Sequence, residues 1–318
     1  MQGNLSCKST IRRRGLLLLP AIAGLSLIGL SGCAAFDYRE ADAPDALREV
    51  PPFKPRPRIA VVLGPGGPRG YAHIGVLRVL EEAGITPDLV VGCSVGALIG
   101  VFWASGLSAA QIDERSMQGG PLTVFDPTPF ADRGWIRGQR LQDYVNQGVG
   151  GRELQDLPRR VIVVATKRDD KSARFFTSGN AGVAVRASSA IPGIVSPVGI
   201  DGVEFEDGDE SLPLAVSAAR AAGANFVIAV NVYPREESTP ADAPKSMRDK
   251  DARRRARIAP EIAQADFVLH PDIGYYASPR KGYFVASRQI GEAEARARLP
   301  ELQAKLTSAN MSMQAPPG

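Results

Sequence analysis

The chain has 318 residues and a formal net charge of +4, with 38 Lys and Arg against 34 Asp and Glu. All of this excess lies in the first 32 residues, which hold Lys8 and Arg12 to Arg14 and no acidic residue. The rest of the chain is balanced and lacks the basic face that a nucleic-acid partner requires, so we expect no nucleic acid to bind.

Residues 1–32 have the pattern of a bacterial export signal, with basic residues followed by the apolar run LLLLPAIAGLSLIGL. Leu30-Ser31-Gly32-Cys33 resembles a lipobox, in which the cysteine is lipidated and becomes the mature N-terminus. The alternative is a transmembrane anchor, but residues 15–32 barely reach the roughly 20 apolar residues that a spanning helix needs. We therefore expect a lipoprotein that is held to a membrane through Cys33. Ala34 after the cysteine indicates the periplasmic face of the outer membrane.

Residues 33–57 are polar and then rich in proline, and we interpret them as a lipidated tether. The predicted folded domain covers residues 58–306, and residues 307–318 are predicted to be a flexible tail. Cys7 leaves with the signal and Cys33 carries lipid, so Cys93 alone remains as a thiol and no internal disulfide can form.

Within the domain, apolar β-branched runs alternate with helical patterns, which is typical of a parallel sheet covered on both faces. The predicted strands are 58–63, 88–91, 160–166, 173–178, 225–232 and 266–271, and the predicted helices are 69–83, 94–104, 212–223 and 288–306. We expect Pro300 to break or kink the last helix. Residues 234–262 are predicted to be a mobile surface segment. Its basic cluster at 248–257 is expected on a solvated face, with anionic lipid head groups as an alternative contact.

A glycine-rich turn, LGPGGPRG at 63–70, follows the first strand and precedes a helix. Backbone N–H groups at such a turn stabilise anions. Pro65 and Pro68 have no N–H, so Gly66 and Gly67 are the best donors. The spacing matches neither a dinucleotide-binding nor a P-loop motif, which leaves the oxyanion of an acyl-transfer intermediate as the favoured anion.

The second strand ends in Gly-Cys-Ser-Val-Gly, the G-x-S-x-G pattern that holds a nucleophilic serine at a strand-to-helix turn. Ser94 is therefore the candidate nucleophile. Gly92 and Gly96 are expected to allow close packing of the strand against the helix. Cys93 is a rival nucleophile, but we expect it to point away from the tip of the turn.

The general base is less clear from the residues alone. Ser94, Asp207 and His270 occur in the chain order of an α/β-hydrolase triad. However, several strands precede the nucleophile in that fold, whereas about 36 residues separate the start of the first strand from Ser94 here. We expect His73 and His270 to be structural, and the triad stays open as an alternative.

Four blocks of the sequence resemble the patatin-like phospholipases, and the likeness runs from about Arg58 to at least Pro234. The blocks are LGPGGPRGYAHIGVL (63–77), DLVVGCSVGALIG (88–100), RASSAIPGIVSPV (186–198) and FEDGDESLPLAV (205–216). The resemblance implies a three-layer α/β/α sandwich with a mostly parallel central sheet. It also implies a Ser94–Asp207 dyad without histidine and an oxyanion hole at Gly66 and Gly67.

Arg69 matches the arginine of the family's glycine-rich motif, and the sequence departs from the family pattern at two positions. Pro65 replaces the first glycine of a Gly-Gly-Gly run. Asp209 stands where the family has Gly or Ala after Asp-Gly, so a second carboxylate lies near Asp207 in the sequence and is a candidate to share the role of the base.

We therefore expect a membrane-tethered serine acyl hydrolase that cleaves fatty-acyl esters of phospholipids or lysophospholipids. We expect no metal and no cofactor, and the sequence identifies no protein partner. The alternatives are an esterase with the Ser94-Asp207-His270 triad and a catalytically silent lipoprotein that binds lipid or a partner.

Overall fold

The computed structural model describes residues 37–38, 43–118 and 121–314. The predicted signal peptide and the lipidation site at Cys33 lie outside the described residues. The strands are β1 (Asp37–Tyr38), β2 (Ala46–Leu47), β3 (Ile59–Leu63), β4 (Leu89–Cys93), β5 (Arg160–Lys167), β6 (Ala173–Phe176), β7 (Val198–Ile200), β8 (Val203–Asp207), β9 (Phe226–Val230) and β10 (Phe267–Leu269). The helices are α1 (Tyr71–Glu82), α2 (Val95–Ala104), α3 (Ala109–Met117), α4 (Gln139–Gly148), α5 (Ala181–Ser188), α6 (Val216–Ala221), α7 (Lys245–Ile262) and α8 (Lys281–Gln314).

The strands form one sheet whose centre is parallel. β5, β4, β3, β9 and β10 lie side by side in that order and run in the same direction. β8 and β7 extend the sheet in antiparallel pairing from β5, and β1 pairs with β7 in parallel. β6 pairs with β5 in antiparallel orientation and carries β2 on its other edge.

Both faces of the sheet are apolar because both are covered by helices. Along β3, Val61 and Leu63 belong to a core cluster that includes residues of α1, α2 and α5, whereas Ala60 and Val62 belong to a second cluster that includes residues of α6. This alternation explains why the central strands are continuous apolar runs. The predicted three-layer α/β/α sandwich is confirmed.

Two strands approach each other end to end along one edge of β5. Cys93, the last residue of β4, pairs with Val164, and Asp207, the last residue of β8, pairs with the next residue, Ala165. β6 occupies the opposite edge at both Val164 and Ala165, so β4 and β8 must share the same edge. The residues at the ends of these two strands are therefore neighbours in space.

The segment predicted to be a tether is packed on the domain over much of its described length. β1 and β2 are strands of the sheet, Val50 is buried in the second core cluster, and the amide of Phe53 donates to the carbonyl of Ala222 at 2.9 Å. The predicted boundary at Arg58 is thus later than the start of the folded chain. Strand pairing and apolar burial outweigh the extended preference of the prolines.

The prediction of a mobile segment at 234–262 is wrong from Lys245 onward, where the chain forms α7. The long terminal helix also differs from the prediction: α8 begins earlier, passes through Pro300 and continues to Gln314, into the predicted tail. Among the described helices, none has both the length and the apolar composition required to cross a membrane.

α1 and α8 pack closely because each presents a glycine where it approaches the other. A Cβ on Gly75 would lie 2.1 Å from the carbonyl oxygen of Arg288, and a Cβ on Gly291 would lie 2.2 Å from that of Ala72. Real Cβ atoms do not approach backbone this closely, so a side chain at either position forces the helices apart.

We expect Gly75→Ala to lower the free energy of unfolding by about 1–3 kcal/mol, the usual cost of overpacking. Chemical denaturation of the full chain measures this change. Gly282→Ala is the matched control, because Gly282 lies in α8 with no atom within 4 Å of a built Cβ. Equal stability of the two variants would contradict the close packing of α1 on α8.

Candidate active site

Ser94 occupies a strained turn between β4 and α2. Its φ is +54°, a value that side-chain-bearing residues seldom adopt and that is found where a residue is held for function. The turn is tight, since a Cβ on Gly92 would lie 2.5 Å from the Cα of Ala97 and one on Gly96 would lie 2.1 Å from the carbonyl oxygen of Leu63. Both glycines therefore occupy positions where a side chain would clash, as the sequence pattern indicated.

The hydroxyl of Ser94 donates a hydrogen bond to Oδ2 of Asp207 at 2.7 Å. The other carboxylate oxygen, Oδ1, accepts from the backbone amide of Asp209 at 2.9 Å. Ser94 and Asp207 are 6% and 3% exposed, so this contact is almost completely shielded from water. The structure thus brings together the serine and the carboxyl group that the sequence singled out.

Burial raises the pKa of Asp207 to about 7, and the negative charge of Asp209 adds to the rise. The hydrogen bonds from the Asp209 amide and the Ser94 hydroxyl oppose it. A carboxylate with a pKa near neutrality is a far better proton acceptor than one at the ordinary value of about 4. The environment therefore suits Asp207 to accept the serine proton at neutral pH.

The glycine-rich turn lies beside this pair. Pro65, Gly66 and Gly67 line a cavity of about 180 Å³ whose wall also includes Ser94 and Asp207. Within the described part of the chain, the amides of Gly66 and Gly67 donate to no acceptor. Gly67 has φ +54°, in the left-handed region that favours glycine. Two backbone donors are thus available next to the candidate nucleophile.

Arg69 supports this turn rather than the serine. Its guanidinium donates to the carbonyl of Tyr275, and its Nε lies 3.5 Å from the carbonyl of Gly274. His73 holds the start of the same turn, because its Nε2 is 2.8 Å from the carbonyl of Gly64. Burial lowers the pKa of His73 to about 4, so the ring is neutral and donates this hydrogen bond.

The two rival residues from the sequence do not join the site. The Nε2 of His270 is 2.8 Å from the carbonyl of Tyr233, and the hydrogen bond between Ser94 and Asp207 is direct, with no imidazole between them. Cys93 is 1% exposed in the second core cluster, and burial raises the pKa of its thiol well above the usual value. Neither residue is placed to act as base or nucleophile.

The part of the chain that forms this arrangement is similar to a known protein family. The family model for patatin-like phospholipases matches residues 61–213, which include the glycine-rich turn, Ser94 and Asp207. Over these residues the chain is similar to the patatin-like phospholipases.

Two relatives illustrate how far the likeness extends. An uncharacterised NTE family protein of Mycobacterium tuberculosis is 35% identical over 193 residues, which are 59% of this chain and 52% of the relative. The lysophospholipase nte1 of Neurospora crassa is 30% identical over 188 residues, which are 57% of this chain and 12% of the relative. The chain therefore matches about half of the first relative and a small part of the second.

Among solved structures, the crystal structure of VipD from Legionella pneumophila is similar in fold, with a TM-score of 0.50 and 13% identity. The match covers 79% of this chain and 66% of that chain. It supports the patatin-like sandwich.

Asp209, one of the two departures from the patatin-like pattern, is neutralised by an arginine that the sequence analysis missed. Nε of Arg254 in α7 donates to Oδ1 and Oδ2 of Asp209 at 2.9 and 3.0 Å. Asp251 also lies 3.2 Å from Arg254, and the ring of Tyr233 lies 4.0 Å from its Cζ. Asp209 is thus held in an ion pair with Arg254, which does not favour it as a second base.

A second residue absent from the predicted site, Ser188 in α5, fixes the backbone of the nucleophile. Its hydroxyl accepts from the amide of Ser94 at 2.8 Å and donates to the carbonyl of Val164 at 2.6 Å. The signal in the sequence was a serine in a helix whose other residues are mostly apolar, because a buried hydroxyl requires hydrogen-bond partners.

The ion pair between Arg254 and Asp209 predicts a shift in the titration of Asp207. If ionised Asp207 is the base that activates Ser94, labelling of Ser94 by a fluorophosphonate probe is expected to rise with pH through about 7. Arg254→Gln leaves the charge of Asp209 uncompensated, which disfavours ionised Asp207. The midpoint of the labelling rate against pH should therefore move to higher pH.

Arg255→Gln is the control, since Arg255 lies on the same helix and pairs instead with Glu236. The midpoint of its labelling rate against pH should equal that of the unaltered chain. Identical midpoints for the two variants would mean that Arg254 does not set the charge around Asp207.

Proposed function

We propose that the chain is a serine acyl hydrolase that cleaves fatty-acyl esters of phospholipids or lysophospholipids. The observation that carries the proposal is the 2.7 Å hydrogen bond between Ser94 and Asp207, beside two unpaired glycine amides in one cavity. The match of residues 61–213 to the family model for patatin-like phospholipases and the lysophospholipase name of the Neurospora crassa relative support the substrate class.

The proposed reaction begins when Ser94 Oγ attacks the ester carbonyl while Asp207 accepts the hydroxyl proton. The carbonyl oxygen gains negative charge, which the amides of Gly66 and Gly67 stabilise. The alcohol portion of the lipid leaves with the proton, and the acyl group remains on Ser94. Water then attacks this ester while Asp207 accepts its proton. Asp207 passes that proton to Ser94 Oγ as the bond from Oγ to the acyl carbon breaks, which releases the fatty acid and regenerates the serine hydroxyl.

The size of the cavity limits which part of the substrate it holds. A volume of about 180 Å³ is below the roughly 300–1,000 Å³ of pockets that enclose whole ligands. It accommodates the ester and the atoms next to it, so the acyl chain and the head group extend beyond it.

The cavity is lined by three carboxyl groups, Asp207, Asp209 and Glu210, and by three cations, one of which is a candidate to bind the phosphate of a lipid. Lys250 of α7 lines the cavity with Arg69 and Arg254. Arg254 pairs with Asp209, whereas Lys250 has no carboxylate within ion-pair distance among the described residues. We propose that Lys250 contacts the phosphate of the substrate.

Membrane attachment forms a separate part of the proposal. The lipobox-like tetrad ending in Cys33 supports a lipid anchor and a location at the bacterial cell envelope, on the periplasmic face of the outer membrane. This part rests on the sequence pattern alone.

Replacement of the two reacting groups tests the proposed chemistry. Ser94→Ala and Asp207→Asn should each lower kcat/KM for a lysophospholipid by at least about 10³-fold, because removing a nucleophile or its base abolishes covalent catalysis. His270→Ala is the matched control and should retain activity within about threefold. The His270 ring forms a hydrogen bond with the carbonyl of Tyr233 and none with Asp207 or Ser94. Loss in His270→Ala equal to that in Ser94→Ala would favour the triad. Failure of a fluorophosphonate probe to label Ser94 would favour a silent binding protein.

Lys250→Gln tests the phosphate contact. We expect KM for a lysophospholipid to rise about five- to tenfold, since a charge-assisted hydrogen bond at a partly exposed site contributes about 1 kcal/mol. Hydrolysis of an uncharged monoacylglycerol serves as the comparison and should change by less than twofold. An equal effect on both substrates would refute the phosphate contact.

A further inference from the structure

We infer that one face of the domain docks on the surface of a phospholipid bilayer. This docking face consists of the loop 122–135 together with Ile194. The inference rests on the proposed function, because it assumes a lipid substrate and a lipid at Cys33. Beyond that function, it identifies the surface that contacts the membrane and the orientation of the cavity.

The docking face contains most of the exposed large apolar side chains in the described part of the chain. Seven such side chains are exposed, namely Leu122, Phe125, Phe130, Trp135, Ile194, Met247 and Tyr276, and the first five belong to the face. Phe130, Leu122 and Trp135 are 69%, 60% and 55% exposed. Apolar patches of this kind mark interaction sites, and Trp is enriched where proteins meet the head-group region of a bilayer.

The backbone of the loop is held in place, so these side chains are presented outward by a defined structure. The amide of Thr128 donates to the carbonyl of Trp135 at 2.8 Å, and Pro127 pairs with Ile136 in an antiparallel bridge. The carboxylate of Asp126 accepts from the amide of Gln139 at 2.9 Å, which fixes the first half of the loop to the start of α4.

The docking face borders the cavity that contains Ser94. The amides of Trp135 and Ile136 both donate to the carbonyl of Ile194 at 3.0 Å, which attaches the loop to the segment 191–194. Ile191 and Pro192 of this segment line the cavity. A bilayer that covers the docking face is therefore next to the opening through which a lipid must enter.

The start of the described chain lies near the same loop. Arg186 donates to the hydroxyl of Tyr38 at 2.6 Å and to the carbonyl of Arg137 at 2.9 Å. Tyr38 belongs to β1, and Arg137 lies two positions after the end of the docking loop. Arg186 therefore links β1 to this loop. Cys33 precedes Asp37 by four residues, a length of chain that spans at most about 14 Å. A lipid on Cys33 would thus enter the bilayer close to the docking face and would hold this face against it.

The charge beside the apolar side chains fits lipid head groups. Arg140 is exposed, and its guanidinium donates to the carbonyl of Leu122 at 2.7 Å. A cation next to Trp, Phe and Leu side chains is the combination by which interfacial segments bind anionic lipid surfaces.

Fluorescence tests the docking face directly, because the chain has only two tryptophans and they differ in environment. Trp135 belongs to the docking face, whereas Trp103 is 1% exposed in the core. The full chain carrying Ser94→Ala is reconstituted in phosphatidylglycerol and phosphatidylethanolamine vesicles with brominated acyl chains. We expect the bromines to quench a large part of the emission, and we expect most of that quenching to be lost in Trp135→Phe. Equal quenching in both proteins, or none, would overturn the docking face.

A second measurement compares two substrates. Phe130→Asp should lower the ratio of phospholipid hydrolysis in vesicles to hydrolysis of a soluble short-chain ester by about tenfold, the factor that corresponds to about 1.4 kcal/mol. Tyr276→Asp is the matched control, since Tyr276 is an aromatic residue of similar exposure, 58%, outside the docking face. An unchanged ratio in Phe130→Asp, or an equal fall in Tyr276→Asp, counts against the inference.

The two measurements separate the docking face from the proposed function. Quenching of Trp135 without hydrolysis of either substrate by the unaltered chain would refute the acyl hydrolase and leave the docking face supported. Hydrolysis of both substrates without quenching of Trp135 would support the hydrolase and refute the docking face, and would instead favour a protein as the occupant of this surface.

Discussion

The end-to-end approach of β4 and β8 along one edge of β5 is the constraint on which the candidate site depends. It places Ser94 and Asp207, which are 113 residues apart, within a hydrogen bond of each other. Neither strand can shift by one residue without separating them, because a one-residue slip also turns the side chains to the opposite face. The geometry of the pair is therefore set by the register of the sheet and not by a flexible loop.

Burial next to the serine places two carboxyl groups close together, and α7 supplies a cation that neutralises one of them. Two carboxyl groups, Asp207 and Asp209, lie within two residues of each other and are both nearly buried. Arg254 neutralises Asp209, and Arg257 donates to the carbonyl of Glu210, so the helix holds the turn that follows β8 from two sides. One carboxyl group is thus left without a cationic partner, and its pKa rises toward neutrality because of burial. The raised pKa of Asp207 and the ion pair of Arg254 with Asp209 thus depend on the same packing of α7 against the turn after β8.

The sequence predicted the parts of the fold that are locally encoded and missed those that depend on distant pairing. The central strands were found because they are apolar on both faces, and the glycine-rich turn and Ser94 were found because backbone strain and close packing require particular residues at fixed spacing. The sequence of β8 is VEFED, in which three of the five residues are acidic. From the sequence alone this segment resembles an exposed turn, and only its pairing with β5 makes it a strand. α7 was missed because its buried positions are few: Ile258 and Glu261 are buried, and Arg254 points to the site. The partner of a buried charge cannot be deduced before the fold brings it near.

The small volume of the cavity is the structural feature to which the proposed contact with a bilayer relates. A cavity of about 180 Å³ cannot enclose a whole lipid, so the apolar chains must stay elsewhere during the reaction. Drawing a lipid completely out of the membrane costs about 0.8 kcal/mol for each CH₂ group that loses its apolar surroundings. A domain that rests on the membrane beside its cavity avoids most of this cost, because only the ester and the neighbouring atoms need to move. If Cys33 carries a lipid, as we propose, the pairing of β1 with β7 leaves only a few residues between the folded domain and the anchor, and this short connection would keep the cavity near the membrane.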